Sequence, residues 1–197
     1  MALRPDLQII AKWIRPGSRV LDLGCGDGAL LKHLRTESQV SGYGVEIDIE
    51  NIARCIDNDV NVIHSDIDAG LSEFEDASFD YVVMTQTLQA IRHPDRLLRE
   101  ILRVGREGIV TLPNFGHWHS RWQILQGRMP VTRALPDQWY NTPNIHLCTV
   151  KDFEALCREQ GVRYLQRALV NHNYRTTPLI ALRPNLLAAI ALYRLGR

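Results

Sequence analysis

A glycine-rich turn near the amino terminus constrains this 197-residue chain more than any other feature. An apolar, strand-like run at 20–23 (Val-Leu-Asp-Leu) leads into Gly-Cys-Gly-Asp-Gly at 24–28. Residues 29–34 then carry apolar side chains at helical spacing. A strand, a glycine turn and a helix present unpaired backbone amides at the helix start, and the missing Cβ atoms let a ligand approach the main chain. The sequence therefore predicts a small-molecule binding loop.

Two classes of ligand compete for this loop. Gly24, Gly26 and Ala29 fit the G-x-G-x-x-A pattern of dinucleotide-binding proteins. With Glu46 as the acid for a ribose, that pattern predicts a nicotinamide-dependent reductase. Asp22 argues against it, because a carboxylate at the loop would repel a pyrophosphate. The same carboxylate suits a ligand that carries an ammonium and a sulfonium group, as S-adenosylmethionine does.

The alternation of strands and helices between residues 20 and 114 sets the fold class. Further strands are predicted at 41–48, 61–64, 79–84 and 107–112, and helices at 6–14, 29–34, 50–56 and 95–103. This alternation predicts a doubly wound α/β fold with a parallel sheet and helices on both faces. Beyond it the sequence predicts a helix at 149–160, an antiparallel strand pair at 162–170 and 179–182, and a terminal apolar helix at 185–195.

The V-L-D-L-G-C-G-D-G sequence at 20–28 strongly resembles motif I of the class I S-adenosylmethionine-dependent methyltransferases, and F-D-Y-V-V at 79–83 resembles their fourth strand. The resemblance implies a Rossmann-like methyltransferase fold, with a mostly parallel seven-stranded sheet that includes an antiparallel strand. It also implies a site for S-adenosylmethionine or S-adenosylhomocysteine. The implied site residues are Asp22, Gly24, Cys25, Gly26, Gly28, Glu46, Ile47, Asp66, Ile67 and Gln86.

Three of these residues have specific implied roles. The resemblance assigns the ribose hydroxyls to Glu46 and the adenine amino group to Asp66, and it packs Ile67 on the adenine ring. Asp48, close to Glu46, is instead predicted to cap the helix that follows it. The Thr-Gln-Thr-Leu-Gln sequence at 85–89 lacks the Asn-Pro-Pro-Tyr type of motif found in amino-group methyltransferases, which disfavours a base or a protein amide as substrate.

Composition excludes several classes of protein. The chain has 23 basic and 22 acidic side chains. Because basic residues are not in clear excess, the composition does not predict a nucleic-acid partner. Its four cysteines form no C-x-x-C pair, which argues against a metal site and a disulfide framework and predicts a reducing, cytoplasmic setting. No apolar run reaches membrane-spanning length, and Arg4-Pro5-Asp6 does not fit a signal peptide.

The segment 115–149 interrupts the alternating pattern. It contains three of the four tryptophans and three histidines, and long aromatic loops of this kind are typical of lids and partner surfaces. His117, His119, His146 and Tyr140 are its candidate catalytic residues. A metal role for the histidines is not favoured, because no cysteine or carboxylate pattern accompanies them.

The motifs P-N-F-G-H-W, G-R-M-P-V-T, W-Y-N-T-P-N-I-H and L-C-T-V-K-D-F-E, together with 20–114, closely resemble the MetW family of bacterial methionine biosynthesis proteins. The resemblance covers essentially the whole chain. It implies a partner, a MetX-type homoserine O-acyltransferase (a succinyl- or acetyltransferase) that this protein supports, and it names no methyl acceptor. The alternative is a small-molecule methyltransferase, so enzymatic activity stays open. The prediction is one domain, 1–197, with a ligand-binding core at 1–114, a lid or partner segment at 115–149 and a carboxyl-terminal part at 150–197.

Overall fold

The computed structural model describes residues 3–133, 135–143 and 145–197. Its strands are β1 (Arg19–Leu23), β2 (Ser41–Glu46), β3 (Val62–His64), β4 (Phe79–Thr85), β5 (Gly105–Pro113), β6 (Arg163–Val170) and β7 (Ile190–Gly196). They form one seven-stranded sheet in the order β3-β2-β1-β4-β5-β7-β6. Neighbours pair in parallel except along β7, which is antiparallel to both β5 and β6. The predicted doubly wound, mostly parallel sheet with an antiparallel strand is confirmed.

Helices connect these strands. They are α1 (Pro5–Ala11), α2 (Ala29–Ser38), α3 (Ile49–Asp57), α4 (Pro94–Val104), α5 (Trp118–Leu125), α6 (Val150–Glu159), α7 (Pro178–Leu182) and α8 (Pro184–Leu187), with 3₁₀ turns at Ile67–Ala69 and Leu88–Ala90. Within the described ranges, no helix is both long and apolar enough to cross a bilayer.

Two apolar cores lie on opposite faces of the sheet. On β1, Leu21 and Leu23 pack with side chains of α4 and α6, whereas Val20 packs with side chains of α1 and α2. Successive side chains of a strand point to opposite faces, so the predicted helix layers on both faces are confirmed. The same alternation places Asp22 on the face covered by α1 and α2.

Local capping signals set two helix starts. The Asp48 carboxylate accepts a hydrogen bond from the Asn51 amide at 2.9 Å and begins α3, as predicted. Thr149 and Asp152 form a reciprocal capping box at the start of α6, which satisfies amides that would otherwise be unpaired. Predicted bounds elsewhere differ by a few residues, most at α2, which ends at Ser38 rather than at residue 34, and at α1, which ends at Ala11 rather than at residue 14.

The carboxyl-terminal predictions were wrong in two places. Residues 179–182 form part of helix α7 rather than a strand, because Thr177 caps the helix and Pro178 occupies its first turn. Residues 185–195 form the end of α8 and most of strand β7 rather than one helix. β7 is buried between β5 and β6, and a strand buried on both faces shows the same unbroken apolar run as a buried helix.

In the described residues of the segment 115–149, helix α5 is followed by turns and irregular chain. The sequence predicted only an irregular lid or partner segment there. The division of the chain at 114 and 149 into three functional parts stays a prediction.

Candidate functional site

The three glycines of the loop all have left-handed backbone, with φ of +70° at Gly24, +57° at Gly26 and +73° at Gly28. A Cβ at Gly24 would lie 2.8 Å from Thr87 Oγ1, and one at Gly28 would lie 3.1 Å from Cys55 Sγ. A Cβ at Gly26 would meet nothing within 4 Å. Gly24 and Gly28 are therefore required by close packing, whereas Gly26 borders open space that a ligand can enter.

Asp22, on β1 just before the glycine loop, has an unmet hydrogen-bonding capacity. The residue is 2% exposed, and its buried Oδ1 has no hydrogen-bond partner among the described residues. Burial raises the pKa of Asp22 to about 7, the nearby Glu46 carboxylate adds to the increase, and Arg4 opposes it. A buried acceptor without a partner is costly. A cationic donor, such as the ammonium group of an amino acid, would satisfy it.

Glu46 ends β2 beside the loop and is largely committed to the main chain. Its Oε2 accepts from the Gly26 amide at 2.8 Å, and its Oε1 accepts from the amides of Ile47 and Asp48 at 2.9 and 3.0 Å. A carboxylate offers about four acceptor positions, so one remains, on Oε2. Glu46 thus braces the glycine loop and can still accept one hydroxyl there.

The other predicted adenosine contacts follow along the same edge. Ile47 is exposed and presents an apolar surface next to Glu46. The Ser65 amide donates to the Glu46 carbonyl at 3.2 Å, which brings the end of β3 beside the end of β2. The exposed Asp66 caps the 3₁₀ turn through the Asp68 amide, and Ile67 packs partly against the core.

The Gln86 side chain contacts the amino-terminal helix. Its side chain donates to Asp6 Oδ2 at 3.3 Å, and Asp6, fully buried, is ion-paired with Arg4 at 2.8 Å. Arg4 is close enough to Asp22 to oppose the increase in the pKa of Asp22, so this network lies near Asp22. Sequence reasoning missed Arg4 and Asp6, because a contact between the first helix and the end of β4 leaves no signal in local spacing.

The Cys25 side chain points into the protein interior beside Cys55. Its side chain is buried, with Sγ 3.7 Å from Cys55 Sγ, and a Cβ at Gly44 would lie 2.3 Å from that same Cys25 Sγ. Burial raises the pKa of the Cys25 thiol far above its usual range, so the group stays protonated.

The candidate catalytic residues have separate surroundings. His117 is buried at the start of α5, 5.0 Å from the His172 ring, and burial lowers the pKa of His117 to about 4. His146 is exposed, with Nε2 3.2 Å from the Arg92 carbonyl. Tyr140 is exposed and packs edge-on against Trp139. Their contacts do not join them into one catalytic group.

His172 is a further residue that sequence reasoning missed. With His117 and His119 it lines a cavity of about 500 Å³ between α5 and the residues after β6. Its Nδ1 is buried and lacks a hydrogen-bond partner in the described parts of the chain. Across those same parts, no cluster of three or more His, Cys, Asp or Glu is arranged to hold a metal ion.

Comparison with known protein families shows which family this chain belongs to. The sequence profile of the family described as "Methionine biosynthesis protein MetW" matches residues 4–195. This chain belongs to the MetW family. The predicted resemblance to this family is confirmed.

Two curated relatives share sequence with this chain. The Rhodopirellula baltica "Bifunctional methionine biosynthesis protein MetXA/MetW" is 37% identical over 172 residues, which is 82% of this chain and 28% of that protein. The Caenorhabditis elegans "Phosphoethanolamine N-methyltransferase 2" is 29% identical over 122 residues, 57% of this chain and 28% of that protein. The chain spans little more than a quarter of the length of either relative.

Solved structures share the fold of this MetW-family chain. An S-adenosylmethionine-dependent methyltransferase from Mesorhizobium loti superposes with a TM-score of 0.69, at 17% identity, over 98% of this chain and 96% of that one. The Rossmann-like methyltransferase fold is therefore confirmed.

Proposed function

We propose that this MetW-family protein is an S-adenosylmethionine-binding subunit that partners and activates a MetX-type homoserine O-acyltransferase in the cytoplasm. The observation that carries the proposal is the relative named MetXA/MetW, in which a segment 37% identical to this chain is part of one longer polypeptide. Fusion holds two activities at high effective concentration, an arrangement that benefits proteins that act together.

The residues of the glycine-loop site fit S-adenosylmethionine. The orphaned Asp22 carboxylate suits the ligand ammonium group, and the open space at Gly26 admits a ligand against the backbone. We assign one ribose hydroxyl to the free position on Glu46 Oε2, the adenine face to Ile47 and Ile67, and the adenine amino group to Asp66. When bound, S-adenosylmethionine supplies an electrophilic methyl group on a sulfonium.

A hydrogen-bonded path connects this site to the segment 115–149. Gln86, whose side chain contacts Asp6, accepts at its carbonyl from Gln89 Nε2 at 2.7 Å. The Gln89 carbonyl in turn accepts from the amides of Ile145 and His146 at 3.0 and 2.9 Å. A ligand that displaces Gln86 would act on this path. Ligand binding regulates a partner only if its affinity differs between two states, and this path gives such a difference a physical route.

The direct test is acyltransferase activity. The purified MetX-type acyltransferase is assayed alone, with this protein, and with this protein plus S-adenosylmethionine. We expect the rate of homoserine acylation to rise on addition of the protein and to change again with S-adenosylmethionine. Full activity of the acyltransferase alone, unaffected by either addition, would refute the proposal.

A small-molecule methyltransferase is the second candidate, favoured by the similarity to the C. elegans N-methyltransferase. Burial lowers the pKa of His117 to about 4, so the ring is neutral at pH 7 and can hydrogen-bond a methyl acceptor that reaches its cavity. Transfer of labelled methyl groups from S-adenosylmethionine to a cellular small molecule, with a rate reduced in His117→Ala, would support this candidate. Absence of transfer across a metabolite extract would exclude it.

A further inference from the structure

Helix α5 exposes its apolar side to solvent. Trp118, Trp122 and Leu125 are spaced i, i+4, i+7 on one stripe and are 52%, 55% and 79% exposed. The buried residue of this helix is Ser120, which lies on the opposite side. A surface helix of a globular domain normally points its apolar stripe at the core. The outward stripe of α5 is therefore available for another surface.

A second wall continues this apolar surface. Trp139 and Tyr140 are 72% and 71% exposed, and a groove of about 750 Å³ runs between α5 and this pair, with Trp122, Met129 and Trp139 among its lining residues. We call the set Trp118, Trp122, Leu125, Met129, Trp139 and Tyr140 the aromatic face. Contiguous exposed apolar patches of this size mark interaction sites.

The aromatic face rests on an ordered framework. Gln123 is held to Val131 by two hydrogen bonds, from the Val131 amide at 2.8 Å and to its carbonyl at 3.2 Å. Arg121 Nε donates to the Gly116 carbonyl at 2.7 Å, which fixes α5 to the chain that precedes it. A prearranged surface loses less entropy when a partner binds, so this framework favours docking.

Composition and charge restrict the partner. Residues 113–149 contain three arginines and one aspartate, with no lysine or glutamate. Trp, Tyr, Met and Arg are enriched in protein interfaces, whereas Lys and Glu are depleted. Two copies meeting through this face would bring together two segments of the same net positive charge, which like-charge repulsion opposes. A different protein with an apolar surface and an acidic rim fits better.

We propose that the aromatic face is the docking surface for the MetX-type acyltransferase, which contributes an apolar patch rimmed by Asp and Glu. This inference rests on the proposed function, and the fused MetXA/MetW relative supplies the identity of the occupant. Trp122 and Trp139, which line both sides of the groove, are its central anchors.

The test measures binding of the purified acyltransferase to the full chain by titration calorimetry. The variant is Trp122→Ser with Trp139→Ser, and the control is Ile56→Ser, an equally exposed apolar residue on α3. We expect the double variant to raise Kd at least about 30-fold and the control to leave it unchanged. Retained S-adenosylmethionine affinity in both variants shows that they fold.

Each other outcome has a distinct meaning. Wild-type binding that the double variant retains would overturn this inference and leave the proposed function intact. Failure of the wild-type chain to bind would overturn both. A dimer of this chain, seen by sedimentation and lost in the double variant while acyltransferase binding persists, would assign the face to a second copy and also overturn the inference.

Discussion

At the scale of single residues, Asp22 links stability to binding. A carboxyl whose folded-state pKa is near 7, against an unfolded value near 3.9, binds its proton more tightly in the folded protein. Its ionisation therefore costs folding free energy, and the ligand-free protein loses stability as pH rises from about 4 to about 7. A cationic ligand offsets this cost. The ligand-free protein is therefore less stable, and the site favours ligands that carry a positive charge.

Asp22→Asn tests this cost. Between pH 5 and pH 8 we expect the free energy of unfolding of the ligand-free wild type to fall by about 2 kcal/mol relative to that of the variant, because Asn does not ionise. Urea unfolding at the two pH values measures the difference. The variant should also lose S-adenosylmethionine binding. Parallel stability curves for the two proteins would contradict the account of Asp22.

Gly26 offers a prediction with a matched control. Gly26 and Gly161 both have left-handed backbone, at φ of +57° and +67°, and a Cβ at either meets nothing within 4 Å. Alanine at either position should cost about 1 kcal/mol of stability through backbone strain. Only Gly26→Ala should weaken S-adenosylmethionine binding, by at least tenfold. Equal affinities of the two variants in calorimetry would place the ligand elsewhere.

At the scale of secondary-structure elements, Asn114 joins β5 to the carboxyl-terminal part of the fold. Its buried side chain donates to the carbonyls of Asn185 and Ala188 at 3.1 and 2.7 Å, and accepts from the amides of Gly116 and Val150 at 3.0 and 3.2 Å. These bonds hold the end of β5 to the residues before α5, to the start of α6 and to α8.

Asn114→Ala should lower the free energy of unfolding by about 2–4 kcal/mol, since it leaves buried backbone groups unpaired. Asn171→Ala is the control. Among the described residues, the Asn171 side chain accepts from two nearby amides in its own turn, so its loss should cost less than about 1 kcal/mol. Chemical denaturation measures both. Similar losses in the two variants would show that Asn114 does not join these elements.

The elements predicted correctly are those with local signals. Glycines precede the start of α2, and β-branched runs form β4 and β5. Asp48 caps α3, and Thr149 caps α6. The run Ala-Ala-Ile-Ala-Leu at 188–192 has no hydrophobic period that distinguishes a buried strand from a buried helix. Its pairing with β5 and β6 makes most of it a strand. Arg4, Asp6, Asn114 and His172 were missed in the same way, since their partners come from distant segments.

At the scale of the whole molecule, the segment that forms the aromatic face carries more arginines than acidic residues. The charge on that face gives a further prediction. Arg128→Glu, at an exposed position in the groove, should slow association with the acyltransferase and flatten its dependence on salt, with less effect on dissociation. Stopped-flow or surface plasmon kinetics at two salt concentrations would show this. Unchanged association rates would contradict the acidic rim proposed for the partner.

The coupling between site and partner is the central claim, and it is reciprocal. If S-adenosylmethionine changes the affinity of this protein for the acyltransferase, the acyltransferase must change its affinity for S-adenosylmethionine by the same factor. A coupling of 1–3 kcal/mol, typical of regulated proteins, corresponds to a change of about 5- to 150-fold.

The measurement that tests this most directly is a calorimetric titration of the protein with S-adenosylmethionine, with and without saturating acyltransferase. The account predicts binding in both cases with Kd values that differ at least about fivefold. Identical Kd values would contradict the regulatory subunit and favour an independent methyltransferase. No binding in either case would contradict the assignment of the glycine-loop site itself.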